Sequence, residues 1–221
     1  MLSEFLSKFS DLLMQGMLDT LVMLFASTAI AYVIGIALGV VLNLTAPDGL
    51  RPMPAFNAVL GWVVNIGRSL PFIILLIALM PATQAIVGTS TGVRGVIQPL
   101  VVATAPFVAR MVEQSLAEVS RDAVEAAEAC GASVPRIVWS ALLPEALPSI
   151  VRGIAVTLIA VLGYTAIAGA VGAGGLGDIA IRYGYYRYEN EVMIVTVVLL
   201  VVLVQLIQSV CNYIARRADH R

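Results

Sequence analysis

Gly172, Gly174 and Gly177 satisfy the Gly-x-Gly-x-x-Gly spacing whose backbone amides can cradle a pyrophosphate. That chemistry needs a strand before the turn, a helix after it and an acidic residue about twenty positions on. Here the glycines follow an apolar run of membrane-spanning length, so a mobile external loop or gate is expected and no bound cofactor. Nucleophilic catalysis has no support, because Ser69, Ser90 and Ser140 lack a histidine partner in any plausible position. The single histidine, His220, has Asp219 beside it but no cluster of ligating residues, which argues against a metal. No Gly-Lys-Ser/Thr phosphate loop occurs, so the chain itself is not expected to bind ATP.

The polar constellation that remains lies at 118–144, between two apolar stretches. Ser120 can cap a short helix, Asp122 and Glu125 favour its positive N-terminal end, and Gly131 supplies the left-handed residue that stops it. The spacing predicts a compact helix of about three turns, followed after nine residues by an Ala141-Leu142-Leu143-Pro144 turn. Val124, Ala126, Ala127 and Cys130 offer a small apolar surface, surrounded by Glu118, Arg121, Asp122, Glu125 and Glu128. Small residues allow close approach by a partner's groove, and a sharp stop lets the helix transmit a push. The alternative is an amphipathic helix lying on the membrane. Such helices favour Lys and Arg against anionic lipid, whereas this one is acidic and has no aromatic anchor.

The elements that must position this segment are membrane spans. With 221 residues, 60% hydrophobic and 12% charged, the chain has too little polar surface to cover a soluble globule. An all-α polytopic fold of five spans is expected, forming one domain, with spans at about 18–44, 55–80, 95–112, 149–170 and 192–212. Gly35 and Gly39 put small residues four apart on one face of span one, a spacing for close helix packing. Arg68 interrupts span two, with Pro71 just beyond, and is a candidate for function or for anchoring at an interface. Pro99 and Pro106 within span three point to a helix buried against others. Span five, almost wholly Val, Leu and Ile, should face lipid.

Eight cationic residues (Arg51, Arg110, Arg121, Arg136, Arg152, Arg216, Arg217, Arg221) fall on one side, and Lys8, Arg94, Arg182 and Arg187 on the other. The richer side is expected to be cytoplasmic, placing the N-terminus outside and the C-terminus and the 118–144 segment inside. Cys130 and Cys211 then face a reducing compartment, and no disulfide is expected. The first residues, with Glu4, Asp11 and Asp19 against Lys8, do not read as a cleaved signal peptide. No basic cluster suited to nucleic acid appears.

The Glu125-Ala126-Ala127, Gly131 and Leu143-Pro144 pattern resembles the coupling loop of ABC importer permeases. Nearly the whole chain resembles the permease subunit of bacterial methionine ABC importers, through the runs Arg68 to Leu76, Val87 to Ser90, Ala105 to Glu113, Leu142 to Pro148 and Gly169 to Gly177. One departure is Ala141, where the family pattern usually has Ile. Several of these runs are shared with other amino-acid and metal-chelate importers. The resemblance implies a type I importer permease fold in the bacterial inner membrane, and a homodimer around one central path. It also implies two ATP-binding cassette subunits that hold ATP and Mg, a substrate-binding protein outside, and D- and L-methionine as cargo. Glu125, Ala126, Ala127, Gly131, Leu143 and Pro144 would couple to the ATPase, which would drive alternating access.

Tyr164 sits near the middle of span four, where a hydroxyl needs a partner or a wet cavity. It is a candidate for lining the path, with Ile167 and Ala168 a turn further out and Arg68 as a further candidate; bonding of Tyr164 to a neighbouring helix is the alternative. An ion-coupled secondary transporter is the main rival, yet the assigned spans lack the carboxylate or histidine that such proteins place at mid-membrane. A scaffold subunit would leave the 118–144 segment unexplained, and a membrane enzyme would lack any catalytic constellation.

Overall fold

The computed structural model describes residues 2–218, so His220, with Asp219 and Arg221, lies outside the described residues. The helices are α1 (Leu2–Thr45), α2 (Pro54–Ser69), α3 (Phe72–Val87), α4 (Gly92–Ala117), α5 (Arg121–Ala129), α6 (Val134–Ile137), α7 (Leu143–Gly169), α8 (Gly175–Ile179) and α9 (Asn190–Ala218). Wider π-helical turns at Val138–Leu142 and Ala180–Tyr185 join α6 to α7 and extend α8. Among the described residues no strand occurs, as the all-α expectation requires.

Four stretches are long and apolar enough to cross a bilayer: Phe9–Thr45, Gly92–Ala117, Val134–Gly169 and Asn190–Arg217. The expected second span is not one helix. It breaks after Ser69 into α2 and α3, and counts as a fifth span only if the pair is taken together. The cause is local. Pro71 has no N–H to donate and disfavours helical geometry at Leu70. It takes an extended conformation (φ −57°, ψ 130°) at the start of α3, where its carbonyl accepts the Ile74 and Leu75 amides at 3.0 and 3.1 Å. The Ser69 hydroxyl turns back to the Asn65 carbonyl at 2.8 Å, giving the end of α2 a partner for a carbonyl.

Two compact units divide the chain. One comprises residues 31–69, 105–157 and 209–218. Its core gathers Val108, Val112 and Leu116 of α4, Ile137, Val138, Ala141 and Leu142 of α6 and the π turn, and Ala146 and Ile150 of α7. The Gly35/Gly39 expectation holds. A Cβ on Gly35 would stand 2.5 Å from Val108 Cγ1, and one on Gly39 would stand 2.7 Å from Ala109 O and Val112 Cβ, so only glycine permits this approach of α1 to α4. Arg110, counted above among the cations of one face, instead lies within α4. It pairs with Glu113 at 2.6 Å and donates to the Gly61 carbonyl of α2 at 3.0 Å.

The other unit comprises residues 2–30, 70–104 and 158–208. Phe9 and Leu13 of α1 pack with Ile179 and Val192. Thr20 donates to the Gly16 carbonyl at 2.8 Å and accepts the Leu176 amide at 2.9 Å, tying α8 to α1. The Gly172–Gly177 turn follows helix α7 with no strand before it, so the dinucleotide setting is missing. Close packing explains its last glycine, since a Cβ on Gly177 would lie 2.5 Å from the Ala166 carbonyl oxygen. The α9 span is the least covered, with 17% buried against 56% for α4, which suits a lipid-facing helix.

Candidate functional site

The polar segment between α4 and α7 folds into the nine-residue helix α5, with Ser120 extended at its N-cap (φ −62°, ψ 138°). The Ser120 hydroxyl makes no capping bond, contrary to the role expected for it. At the other end the stop is built as expected. Gly131 is left-handed (φ 73°), its amide reaches the Glu128 carbonyl at 2.8 Å, and the Ala132 amide reaches Ala127 at 3.1 Å. These two bonds form a Schellman motif that satisfies carbonyls at the helix end.

Packing sorts the side chains of α5 differently from the sequence reading. Val124 and Ala127, expected on the presented surface, turn inward against the α4–α7 core. Asp122, Glu125, Ala126, Ala129 and Cys130 stay exposed. The outward stripe therefore pairs two alanines with two carboxylates, and the inward pair holds the helix to its scaffold. Arg121 reaches Asp48 in the α1–α2 turn at 3.3 Å, an exposed contact worth under about 1 kcal/mol. Beside the helix lies a cavity of about 530 Å³ lined by Asn43, Asp48, Glu113, Arg121, Glu125 and Glu128 among others. Asn43 and Asp48 were missed by the sequence reading, because they come from the end of α1 and the turn after it, more than 70 residues before α5.

Leu143 and Pro144 do not form the expected turn. The chain stays helical from Val134 to Gly169, and a π turn over Val138–Leu142 carries Leu143, whose amide bonds to Val138 five residues back. Pro144 has no amide to give the carbonyl four residues earlier, and its ring would crowd that carbonyl; the wider turn just upstream accommodates both effects. Leu143 packs on the core, and Pro144 is exposed.

The path candidates do not share one environment. Tyr164 is half-buried and stacks on Phe72 of α3, with ring centroids 4.7 Å apart and planes at 17°. Ile167 is exposed, while Ala168 is fully buried and has no surface to offer a path. Arg68 is exposed in the last turn of α2, where a cation complements the helix dipole, so it marks a helix end rather than a charge in mid-span. A polar face that the sequence reading passed over joins α4 to α7. Ser115 and Ser149 lie 3.0 Å apart, and Ser149 donates to Glu118 at 3.0 Å. Glu118 thus belongs to this face and not to the surround of α5. The signal was present as Gln114, Ser115 and Glu118, and Ser149 and Arg152, each recurring at helical spacing on one side of an apolar run. No group of three or more potential metal ligands occurs among the described residues.

Comparisons with known proteins agree on one kind of molecule. Residues 31–220 match the model of the family described as binding-protein-dependent transport system inner membrane component. The chain is 47% identical over 212 residues to the probable D-methionine transport system permease protein MetI of Vibrio cholerae serotype O1, covering 96% of this chain and 94% of that one. It is 47% identical over 158 residues to the D-methionine transport system permease protein MetI of Escherichia coli K12, covering 72% and 73%. Among solved structures, a chain of the inward-facing MetNI methionine ABC transporter superposes with a TM-score of 0.95 at 46% identity, covering 96% of this chain and 99% of that one.

Proposed function

The chain belongs to the family of binding-protein-dependent transport system inner membrane components, and on that premise we propose that it carries methionine, D and L, across the membrane by coupling α5 to an ATPase. It is a multi-pass permease subunit of an ABC importer in the inner membrane, and ATP is hydrolysed on separate subunits.

The observation that carries the coupling role is the construction of α5. A short helix is held from beneath by Val124 and Ala127, stopped by Gly131, and left with Asp122, Glu125, Ala126 and Ala129 facing outward. The alanines let a groove on the ATPase approach closely, and the carboxylates in the N-terminal half are stabilised by the positive end of the helix dipole. Leu143 and the exposed Pro144 lie at the start of α7, so movement of α5 is passed through the shared core to a span. ATP binding closes two such ATPases, the two α5 helices are drawn together, and a homodimer rocks so that its central path opens outward to a substrate-binding protein. Hydrolysis resets the inward-facing state. In this reading α5 is cytoplasmic, with the N-terminus outside and the C-terminus inside, following the excess of cationic residues on the α5 side. Tyr164 and Ile167 remain path candidates. Tyr164 presents a hydroxyl beside a stacked ring pair, and Ile167 presents an exposed apolar surface.

Methionine as cargo is supported by the name of a relative 47% identical over nearly the full length. The test is native mass spectrometry of the chain co-expressed with its ATPase, followed by uptake of radiolabelled D- and L-methionine in cells lacking other methionine importers. A complex of two permeases and two ATPases that imports methionine is the expected result. A chain that emerges alone across several mild detergents refutes the coupling role; an intact complex that imports a different solute refutes only the cargo.

A further inference from the structure

Three tyrosines that the transport reading does not use stand in the open just before α9 begins at Asn190. Tyr185, Tyr186 and Tyr188 are 64%, 70% and 83% exposed. The loop that carries them is firmly built. The Tyr186 amide reaches the Ile181 carbonyl and the Asn190 amide the Tyr188 carbonyl, each at 3.0 Å, and the Glu189 amide reaches Tyr183 at 3.1 Å. Tyr183 turns inward, edge-on to Phe9 with ring centroids 6.2 Å apart, and packs on the core of Phe9, Leu13, Ile179 and Val192. All of these residues belong to one compact unit. Tyr188 is left-handed at φ 57°, the one described non-glycine residue with positive φ. Glycine or asparagine would hold that geometry more easily, so the tyrosine is explained by what its ring does and not by the turn.

The helix that follows indicates what covers the rings. Val192 begins the apolar run of α9, four residues after Tyr188. Ile194, Val197, Val198, Val201 and Val202 then recur at helical spacing as an exposed apolar stripe on the least covered span. The tyrosines thus sit where a lipid-facing stripe starts, the level at which hydrocarbon gives way to headgroups. Tyrosine suits that level, because its ring is apolar and its hydroxyl needs a polar partner. Arg187 stands among them with its Cζ 4.6 Å from the Tyr183 ring centroid. Among the described residues no carboxylate pairs with it, whereas Arg182 is already held by Asp178 at 2.7 Å. A guanidinium held over a ring keeps its N–H donors, which suit a phosphate taken at two points.

We infer that Tyr185, Tyr186, Tyr188 and Arg187 form an interfacial anchor for phospholipid. The guanidinium takes a lipid phosphate, the tyrosine hydroxyls take the phosphate and ester oxygens around it, and together they fix the depth at which α9 enters the bilayer. The unbroken passage from these rings to the α9 stripe favours lipid over a protein partner. The anchor requires that α9 spans the membrane and is independent of cargo and coupling.

The test uses the permease with a cysteine-free ATPase in nanodiscs, carrying Cys130→Ser and Cys211→Ala and a nitroxide on Ile194→Cys. Collision with oxygen, enriched in hydrocarbon, and with a nickel chelate, confined to water, reads the depth of the label. The label should lie in hydrocarbon and shift toward water when Tyr185, Tyr186 and Tyr188 are all changed to serine. Tyr188→Asn separates anchoring from folding: it relaxes the left-handed residue, so the melting midpoint should hold or rise while the label still shifts. In detergent, apparent affinity for phosphatidylglycerol should fall at least about tenfold in Arg187→Gln, the loss expected for a charge-assisted hydrogen bond, and recover in part in Arg187→Lys. Equal affinity in Arg187→Gln and the parent would overturn the phosphate contact. Unchanged depth in variants that still assemble and import would overturn the anchor and leave the importer reading intact. So would a nitroxide on Tyr186→Cys that is shielded from both reagents once the binding protein is added, because the rings would then face a protein.

Discussion

Replacing Gly131 tests the chain of reasoning from backbone angle to transport. The residue is left-handed at φ 73°, and a Cβ there would meet nothing within 4 Å, so substitution carries no steric penalty beyond its own backbone. The cost is therefore that of holding a non-glycine residue in left-handed geometry, about 1–2 kcal/mol for alanine or leucine and clearly less for asparagine. If the chain relaxes instead, the bonds from Gly131 to Glu128 and from Ala132 to Ala127 are given up, and the last turn of α5 frays. Either route lowers the population of the stopped helix by about five- to thirtyfold, since about 1.4 kcal/mol is a factor of ten. Affinity of the permease for its ATPase should fall by that factor in Gly131→Ala and Gly131→Leu, and by much less in Gly131→Asn. In proteoliposomes, ATP hydrolysed per methionine transported should rise in the same order, while membrane insertion and thermal stability of the spans stay near wild type. Equal behaviour of the alanine and asparagine variants would refute the backbone argument, and normal coupling in all three would refute a role for the helix stop.

Gly39→Ala should lower the unfolding midpoint in detergent by the equivalent of about 1–3 kcal/mol, because its Cβ would sit 2.7 Å from Ala109 O and Val112 Cβ, whereas Gly163→Ala, with open space around it, should be neutral or mildly stabilising; similar losses in both would refute close packing at Gly39. Thr20→Val keeps the shape but leaves the Leu176 amide without its acceptor, at about 1–3 kcal/mol, and hydrogen exchange at that amide should quicken; an unchanged exchange rate would show that the bond does not hold α8. Tyr164→Phe preserves the stack on Phe72 and removes only the hydroxyl, so uptake should slow at normal expression; unchanged uptake would remove the hydroxyl from the path.

The helical character of the long apolar runs and the stop of α5 were legible in the sequence because each rests on local signals. Long apolar runs must be helical in lipid, where every backbone group needs an internal partner. The glycine at 131 read correctly because left-handed geometry is a property of one residue. Pro71 was visible too, but whether its span would kink or break depended on what could satisfy the freed carbonyls, and Ser69 and the extended Pro71 settled that locally in the fold. The Ala141–Pro144 segment misled for a related reason: proline signals interruption, and a π turn absorbed the interruption without ending the helix.

What the sequence by itself determined is that this chain is helical, lives in a membrane and carries a short polar helix with a glycine stop, all consequences of composition and of single-residue conformational preference. Which faces meet was decided only by the tertiary structure. Val124 and Ala127 turn inward while Ala126 remains free, Ala168 is withdrawn from the surface that Ile167 keeps, and Ser115, Ser149 and Glu118 come within 3.0 Å of one another in sequence-distant pairs. Burial of a face depends on the helix that packs against it, and that partner lies tens of residues away in the chain, beyond the reach of any local pattern.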